Sequence, residues 1–176
     1  RPPPTSTPRL LRRQRQMCIR DRLGEVGIRW VDVSGAGGTT WTGVEALRGS
    51  PRQRALGAEL REWGIPTAAS VVFAHRAGLR TIASGGIRSA GDAVRALALG
   101  AEAVSLALPF LRAYAEQGET GVLGAAGRLI EGVRALMLLA GARKVVDLRR
   151  VPRALGPGLR AWIDADGGEP ARWPRN

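Results

Sequence analysis

A glycine turn followed by a capped helix is the part of this sequence whose residue types best suit chemistry. A short buried strand is predicted just before Gly85 and Gly86, which let the backbone turn sharply and leave no side chain between its amides and a ligand. Ser89, with Asp92 three residues later, has the form of an N-terminal capping box. Unpaired N–H groups at a helix start attract anions, and the adjacent Arg88 adds a forked guanidinium. The pattern fits a phosphate site, and it fits equally a turn that only connects a strand to a helix.

A second glycine loop lies earlier in the chain and also follows a predicted strand. Residues 28–33 are rich in β-branched types, and glycines stand at positions 35, 37 and 38. Position 40 is threonine, so the spacing does not complete the dinucleotide-binding G-x-G-x-x-G pattern, and the lysine of a P-loop is missing as well. We expect a flexible loop whose hydroxyls at Thr39 and Thr40 can close on a ligand.

Other reactive residue types are scarce. His75 is the single histidine, and no acid or nucleophile lies beside it in sequence, which favours a position on the surface of a helix over a catalytic one. Cys18 is the single cysteine, which excludes an internal disulfide and a cysteine-based metal cluster. A reducing, cytoplasmic setting fits this composition.

The elements that must position the two loops alternate between strand and helix. A helix is predicted to begin at Ser50-Pro51, to present Leu56, Leu60 and Trp63 on one apolar face, and to end at Gly64. Further helices are predicted after Pro66, over 90–99, near 110–117, over 122–140 and around 159–163, with a third strand over 103–108. This order predicts a parallel sheet, either doubly wound or part of a (β/α)₈ barrel. In such barrels, phosphate sites commonly lie between the loops after strands seven and eight. The barrel is favoured because this sequence has two successive short strands separated by one capped helix.

The positive charge is distributed unevenly along the chain. The formal net charge is +12, and of the 27 basic residues all but Lys144 are arginine. About half of the net charge falls in residues 1–22, which we expect to be disordered or an artefact of sequence assembly. We expect the ordered domain to span 23–167 and the polar tail over 168–176 to be disordered. No apolar run reaches membrane-spanning length, and no membrane partner is expected.

Several motifs resemble those of the type 2 isopentenyl-diphosphate isomerases. They are Val31-Asp32-Val33-Ser34-Gly35-Ala36-Gly37-Gly38-Thr39-Thr40-Trp41, Trp63-Gly64-Ile65-Pro66-Thr67-Ala68, Ala83-Ser84-Gly85-Gly86-Ile87-Arg88 and Ala96-Leu97-Ala98-Leu99-Gly100-Ala101. The phosphate-turn motif is shared by many FMN barrels, whereas the first two together are more specific. The resemblance covers roughly residues 23–167.

The resemblance implies an α/β protein that is the C-terminal part, about strands 6–8 with their helices, of a TIM (β/α)₈ barrel. It implies that Thr39 contacts FMN, that Gly86, Ile87 and Arg88 hold the FMN phosphate, and that the backbone amides of Ala107 and Leu108 complete the phosphate site. The family interconverts isopentenyl and dimethylallyl diphosphate, needs Mg²⁺ and flavin reduced through NAD(P)H, and assembles into tetramers or octamers in the cytoplasm.

The residues that the family uses for substrate, metal and the reactive face of the flavin have no counterpart in this sequence. The resemblance therefore implies a truncated chain with no catalytic residue and no metal ligand of its own, inactive alone. Lys144 lies in the C-terminal helical region and does not match the lysine that the family carries on its fifth strand.

Two other functions remain open at this point. One is an FMN-dependent 2-hydroxy-acid oxidase, which has a similar phosphate turn but needs a histidine base just after the sixth strand, where this sequence has none. The other is a basic nucleic-acid-binding protein with residues 1–22 as its arm. The parallel βα pattern and the lack of interleaved aromatic residues argue against it, and we expect no nucleic-acid partner.

Overall fold

The computed structural model describes residue 23 and residues 26–165 of the 176-residue chain. Our predictions for residues 1–22 and for the tail over 168–176 lie outside the described residues, as does the predicted domain end at 167.

Three parallel strands form one sheet. They are β1 (Trp30–Asp32), β2 (Arg80–Ala83) and β3 (Ala103–Val104), in the spatial order β1-β2-β3. Val31 pairs with Thr81, and Ile82 pairs with Ala103. Because each strand is followed by helix before the next one begins, the connections are the βα crossovers that a parallel sheet requires. The predicted order of strands and helices is confirmed.

Seven helical segments surround the sheet in the described part of the chain. They are α1 (Trp41–Arg48), α2 (Pro51–Glu59), α3 (Thr67–Arg76), α4 (Ala90–Ala98), α5 (Leu108–Leu139), a 3₁₀ helix (Val145–Arg150) and α6 (Pro157–Ala165). Helix α5 is broken at Gly118, whose φ of 59° lies in the left-handed region that glycine adopts without strain. The two helices predicted over 110–117 and 122–140 are these two halves.

The third strand is shorter than predicted. We expected it to run over 103–108, but ladder pairing ends after Val104 with a bond from the Ser105 amide to the Ala83 carbonyl at 2.8 Å. Ala107 already has helical angles, with φ −114° and ψ −62°, and α5 begins at the next residue. The apolar run 106–108 is therefore the turn into a helix rather than the end of a strand.

The segment between the first loop and α3 differs from the prediction in two ways. Helix α1 was not predicted. Helix α2 begins at the expected place, and Ser50 and Gln53 form a capping box there. The predicted apolar face is not buried, however: Leu56 is 54% exposed, and Trp63, which lies beyond the observed end of α2 at Glu59, is 75% exposed. Helix α2 instead packs through Gly57 onto Ala46 of α1.

The core lies between α3, β2 and α4. Its largest fully buried side chains are Leu148, Val71, Val72 and Thr81. From the predicted apolar stripe of α4, Leu97 and Ala101 are buried, and Val94 and Ala98 pack against them. This core fixes the end of β2 and the start of α4, which are the two elements on either side of the phosphate-turn motif. Within the described residues, no helix is long and apolar enough to cross a membrane.

Candidate functional site

The two glycine loops lie directly against each other at the carboxyl ends of β1 and β2. The Gly35 amide donates to the Ser84 carbonyl at 3.1 Å. Gly85 and Gly86 have φ of 91° and 81°, and a Cβ on either would collide with the backbone of Gly35 or Gly37 in the opposite loop. Glycine is therefore required here for two reasons, its left-handed conformation and the close approach of two backbones.

The start of α4 is capped as predicted. The Asp92 amide donates to the Ser89 hydroxyl at 3.1 Å, and the Ser89 amide donates to the Asp92 carboxylate at 3.1 Å. The Arg88 amide donates to the same carboxylate at 3.2 Å. Partial burial acts to raise the pKa of Asp92, but these hydrogen bonds outweigh it and the pKa lies below its usual value. The carboxylate is thus charged at neutral pH and satisfies the amides of Arg88 and Ser89.

Four other amides near this turn are left unpaired. In the described part of the chain, the N–H groups of Gly86, Ile87, Ala107 and Leu108 donate to no protein acceptor. The last two belong to the start of α5, where a helix leaves its first amides without an intrahelical partner. Arg88 is exposed, and its guanidinium donates to the Gly37 carbonyl at 3.3 Å. Unpaired amides and a guanidinium together form an anion-binding arrangement.

These groups surround one cleft of about 280 Å³. All six residues singled out from the sequence line it: Thr39, Gly86, Ile87, Arg88, Ala107 and Leu108. The structure thus brings together three segments that are up to 69 positions apart in sequence. Sequence reasoning missed other lining residues, among them Ser34, Trp41, Ser84 and Ser105. Ser105 could have been found, because it lies only two residues before Ala107 in the same short segment between β3 and α5.

A larger hollow of about 340 Å³ lies on the other side of Arg88, between the start of α4 and α5. Its lining residues include Arg112, Glu116 and Leu129. None of the four unpaired amides contributes to it, so the smaller cleft is the better phosphate site.

His75 lies outside both hollows. It is partly buried on α3 rather than at the solvent edge, and it packs so closely on Gly100 that a Cβ there would lie 2.6 Å from its ring. Burial lowers the pKa of His75, the positive charge of Arg149 lowers it further, and Glu102 opposes both. Among residues 26–165, no group of three or more His, Cys, Asp or Glu side chains is placed to hold a metal ion.

Comparison with known proteins gives the family of this chain. The sequence model of the FMN-dependent dehydrogenase family matches residues 21–152, which is most of the chain. This chain belongs to the FMN-dependent dehydrogenase family. FMN carries a phosphate, and the unpaired amides supply donors that suit one.

Curated relatives of this family member are isopentenyl-diphosphate delta-isomerases. The protein from Methanothrix thermoacetophila is 42% identical over 134 residues, which cover 74% of this chain and 37% of the relative. The protein from Methanothermobacter thermautotrophicus is 40% identical over 162 residues, which cover 90% of this chain and 46% of the relative. The resemblance inferred from the motifs is confirmed. The chain spans less than half the length of these relatives.

Solved structures of mandelate oxidase share the fold. A variant with 4-Br-2-hydroxy-methylphenylacetate is 29% identical with a TM-score of 0.60, covering 78% of this chain and 37% of that one. A variant with 2-hydroxy-phenylacetamide is 32% identical with a TM-score of 0.55, covering 78% and 36%. Together with the family match and the three parallel βα units, they confirm the predicted fold, the C-terminal part of a TIM (β/α)₈ barrel.

Proposed function

We propose that the cleft between the two glycine loops binds the phosphate of FMN. The observation that carries this proposal is that four residues with unpaired amides line the same cleft as Arg88. Ligand pockets for drug-sized molecules usually enclose about 300–1,000 Å³. A cleft of about 280 Å³ is therefore suited to the phosphate and the adjoining ribityl chain rather than to the whole cofactor.

Each lining residue has a distinct role in this proposal. The amides of Gly86 and Ile87 donate to one side of the phosphate, and those of Ala107 and Leu108 donate from the start of α5. The Arg88 guanidinium supplies a full positive charge. The Thr39 hydroxyl, exposed at the mouth of the cleft, contacts the cofactor beyond the phosphate. When bound in reduced form, FMN supplies the redox-active ring, while this chain binds and orients it.

The function that these residues support best is isomerisation of isopentenyl diphosphate to dimethylallyl diphosphate by a complete barrel. Support comes from the 37–42% identity of eight curated isomerases and from the FMN family match. A requirement for Mg²⁺ and NAD(P)H, a tetrameric or octameric assembly and a cytoplasmic location belong to the same proposal, as does the absence of nucleic-acid and membrane partners. The described residues of this chain provide neither a metal site nor a candidate general base in the cleft. We therefore expect the 176-residue chain to be inactive alone.

The experiment uses a joined protein, in which the N-terminal part of the Methanothermobacter thermautotrophicus relative precedes residue 23 of this chain. Isomerisation of isopentenyl diphosphate is measured with reduced FMN and Mg²⁺, for the joined protein and for the 176-residue chain. We expect turnover only in the joined protein. Turnover by the 176-residue chain would contradict the assignment of this chain to the cofactor-binding part, and a joined protein that retains FMN but lacks turnover would contradict the isomerase proposal.

A second candidate is oxidation of a 2-hydroxy acid, which the similarity to mandelate oxidase structures favours. The chemistry expected of such an oxidase needs a histidine base near the flavin. The single histidine of this sequence is on α3, outside the cleft. Mandelate and lactate are therefore included as substrates in the same assay. Their oxidation by the joined protein, without isomerase activity, would reverse the order of the two candidates.

A further inference from the structure

We infer that Thr67 and Ser84 are positioning residues that hold the phosphate turn in its binding conformation by hydroxyl bonds to the two glycine loops. The inference rests on the proposed FMN-phosphate site and adds to it a role for two residues, of which Ser84 also lines the cleft. Neither Thr67 nor Asp32, the partner of Ser84, lines the cleft.

Thr67 connects both loops from the first residue of α3. Its hydroxyl donates to the Gly85 carbonyl at 2.5 Å and lies 3.5 Å from the Ala36 carbonyl. Its amide donates to the same Ala36 carbonyl at 3.2 Å. Gly35 packs so closely on Thr67 that a Cβ there would collide with the Thr67 backbone. Because α3 belongs to the core, Thr67 ties the turn to a rigid element.

Ser84 connects the turn to the end of β1. Its hydroxyl accepts from the Ser34 amide at 2.9 Å and donates to the Asp32 carboxylate. The Ser34 amide also lies 3.0 Å from that carboxylate, so three groups share one small network. Ser84 is only 9% exposed. A buried hydroxyl that both donates and accepts fixes the orientation of its own backbone, which leads directly into Gly85.

These bonds matter because the turn itself is conformationally free. Two successive glycines have access to many backbone conformations, and neither carries a side chain that could select one. The amides of Gly86 and Ile87 point at a common ligand only while the turn holds its conformation. Fixing it before the ligand arrives lowers the ordering cost of binding. Loss of either hydroxyl should therefore weaken binding of the phosphate while leaving the remainder of the cofactor unaffected.

The test compares affinity for FMN with affinity for riboflavin, which lacks the phosphate, by flavin fluorescence titration of the joined protein. The variants are Thr67→Val, which keeps the shape and removes the hydroxyl, Thr67→Ser, which restores it, and Ser84→Ala. Thr42→Val is the matched control, because the Thr42 hydroxyl also lies near a carbonyl, that of Leu60 at 3.4 Å, but outside the cleft.

We expect Thr67→Val and Ser84→Ala to raise the FMN dissociation constant by about three- to tenfold, the equivalent of one intramolecular hydrogen bond. The riboflavin constant should stay within about twofold, and Thr67→Ser and Thr42→Val should resemble the parent protein. An unchanged FMN-to-riboflavin ratio in both hydroxyl-deleted variants, with a parent that prefers FMN, would overturn the positioning role and leave the proposed site intact. A parent without preference for FMN would overturn the site and this role together. If Thr67→Val does not fold, the FMN-to-riboflavin ratio of Ser84→Ala alone tests the positioning role.

Discussion

At Gly86, an added side chain would strike the opposite glycine loop rather than the ligand. Gly86 has φ 81°, and a Cβ there would collide with the Gly37 carbonyl. Arg88, by contrast, is exposed and supplies one partly solvated contact. We predict that Gly86→Val weakens FMN retention in the joined protein more than Arg88→Ala does.

Gly78→Val is a suitable control for this comparison. Gly78 has a similar φ of 75°, but a Cβ there would meet nothing within 4 Å. The FMN retention of Gly78→Val therefore measures the effect of backbone strain at a glycine that does not contact the opposite loop. Flavin titration of the three variants gives the order, and an equal or inverted loss for Gly86→Val and Arg88→Ala would mean that the phosphate lies elsewhere.

His75 gives a prediction about pH that does not depend on flavin. Burial and the charge of Arg149 lower its pKa from the ordinary 6.5, so the folded state disfavours protonation. The unfolded chain takes up this proton first as the pH falls below about 6.5. The stabilisation is therefore complete above that pH and is lost as the pH falls towards the folded pKa. In the folded joined protein, the imidazole NMR resonance that disappears in a His75→Gln variant reports this titration. A midpoint at or above 6.5 in the folded protein would contradict the packing described for this side chain.

Which residues could be predicted depended on whether their partners are close in sequence. The Ser89–Asp92 cap and the phosphate-turn glycines were predictable because their roles follow from local spacing. Thr67 and Ser84 were not assigned a role, since Thr67 acts on Gly85, 18 residues away, and Ser84 acts on Asp32, 52 residues away. Contacts between distant segments leave no periodic signal in a single sequence.

At the scale of elements, α4 is the helix on which the site depends, and its cap can be tested. Ser89 and Asp92 satisfy each other's amides, and replacing a capping serine by alanine typically costs about 0.5–2 kcal/mol. We predict that Ser89→Ala lowers the free energy of unfolding of the joined protein by about 1 kcal/mol in urea denaturation. Ser50→Ala, in the equivalent cap of the exposed helix α2, should cost less because α2 contributes only Gly57 to the buried residues. A larger loss of unfolding free energy for Ser50→Ala than for Ser89→Ala would show that α4 contributes less to stability than α2.

Helix α1 shows why one element was not predicted. It contains no buried residue, Thr40 makes no side-chain cap bond, and Gly43 interrupts its sequence. Eight residues that include a glycine are too few for periodicity alone to distinguish a helix from the continuation of a glycine loop. Its partner α2 was recognised from Ser50-Pro51, but Leu56 on this helix and Trp63 beyond its end were expected to be covered and are exposed.

At the scale of the whole molecule, the sheet is open. In the described part of the chain, β1 and β3 each pair only with β2, so each leaves one edge without a partner. Several large apolar side chains in β1 and in the segments before and after it are exposed, namely Val26, Ile28, Trp30, Trp41, Leu56 and Trp63. Full burial of one such side chain is worth about 1.5–3 kcal/mol, and whole domains are stable by only about 5–15 kcal/mol. Leaving these six side chains between 41% and 75% exposed removes a considerable part of that stability.

We therefore predict that residues 23–167 expressed alone will be aggregated, molten or oligomeric and will bind FMN weakly, whereas the joined protein will unfold cooperatively. Light scattering coupled to gel filtration, followed by a thermal melt, distinguishes these states. A monodisperse monomer of residues 23–167 with a sharp cooperative melt would show that three βα units form a self-sufficient domain.

The parallel βα order was predictable from the sequence because strands, glycine turns and helices alternate in it. The exposure of the large apolar side chains could not be predicted, because it depends on which surfaces the remaining units of a barrel cover.

The most direct measurement of the central claim is a crystal structure of the joined protein with FMN. We predict that the phosphate accepts hydrogen bonds from the amides of Gly86 and Ile87 and from the Arg88 guanidinium, with the start of α5 completing the site. A phosphate bound outside this cleft, or held only by residues of the N-terminal part, would contradict the account.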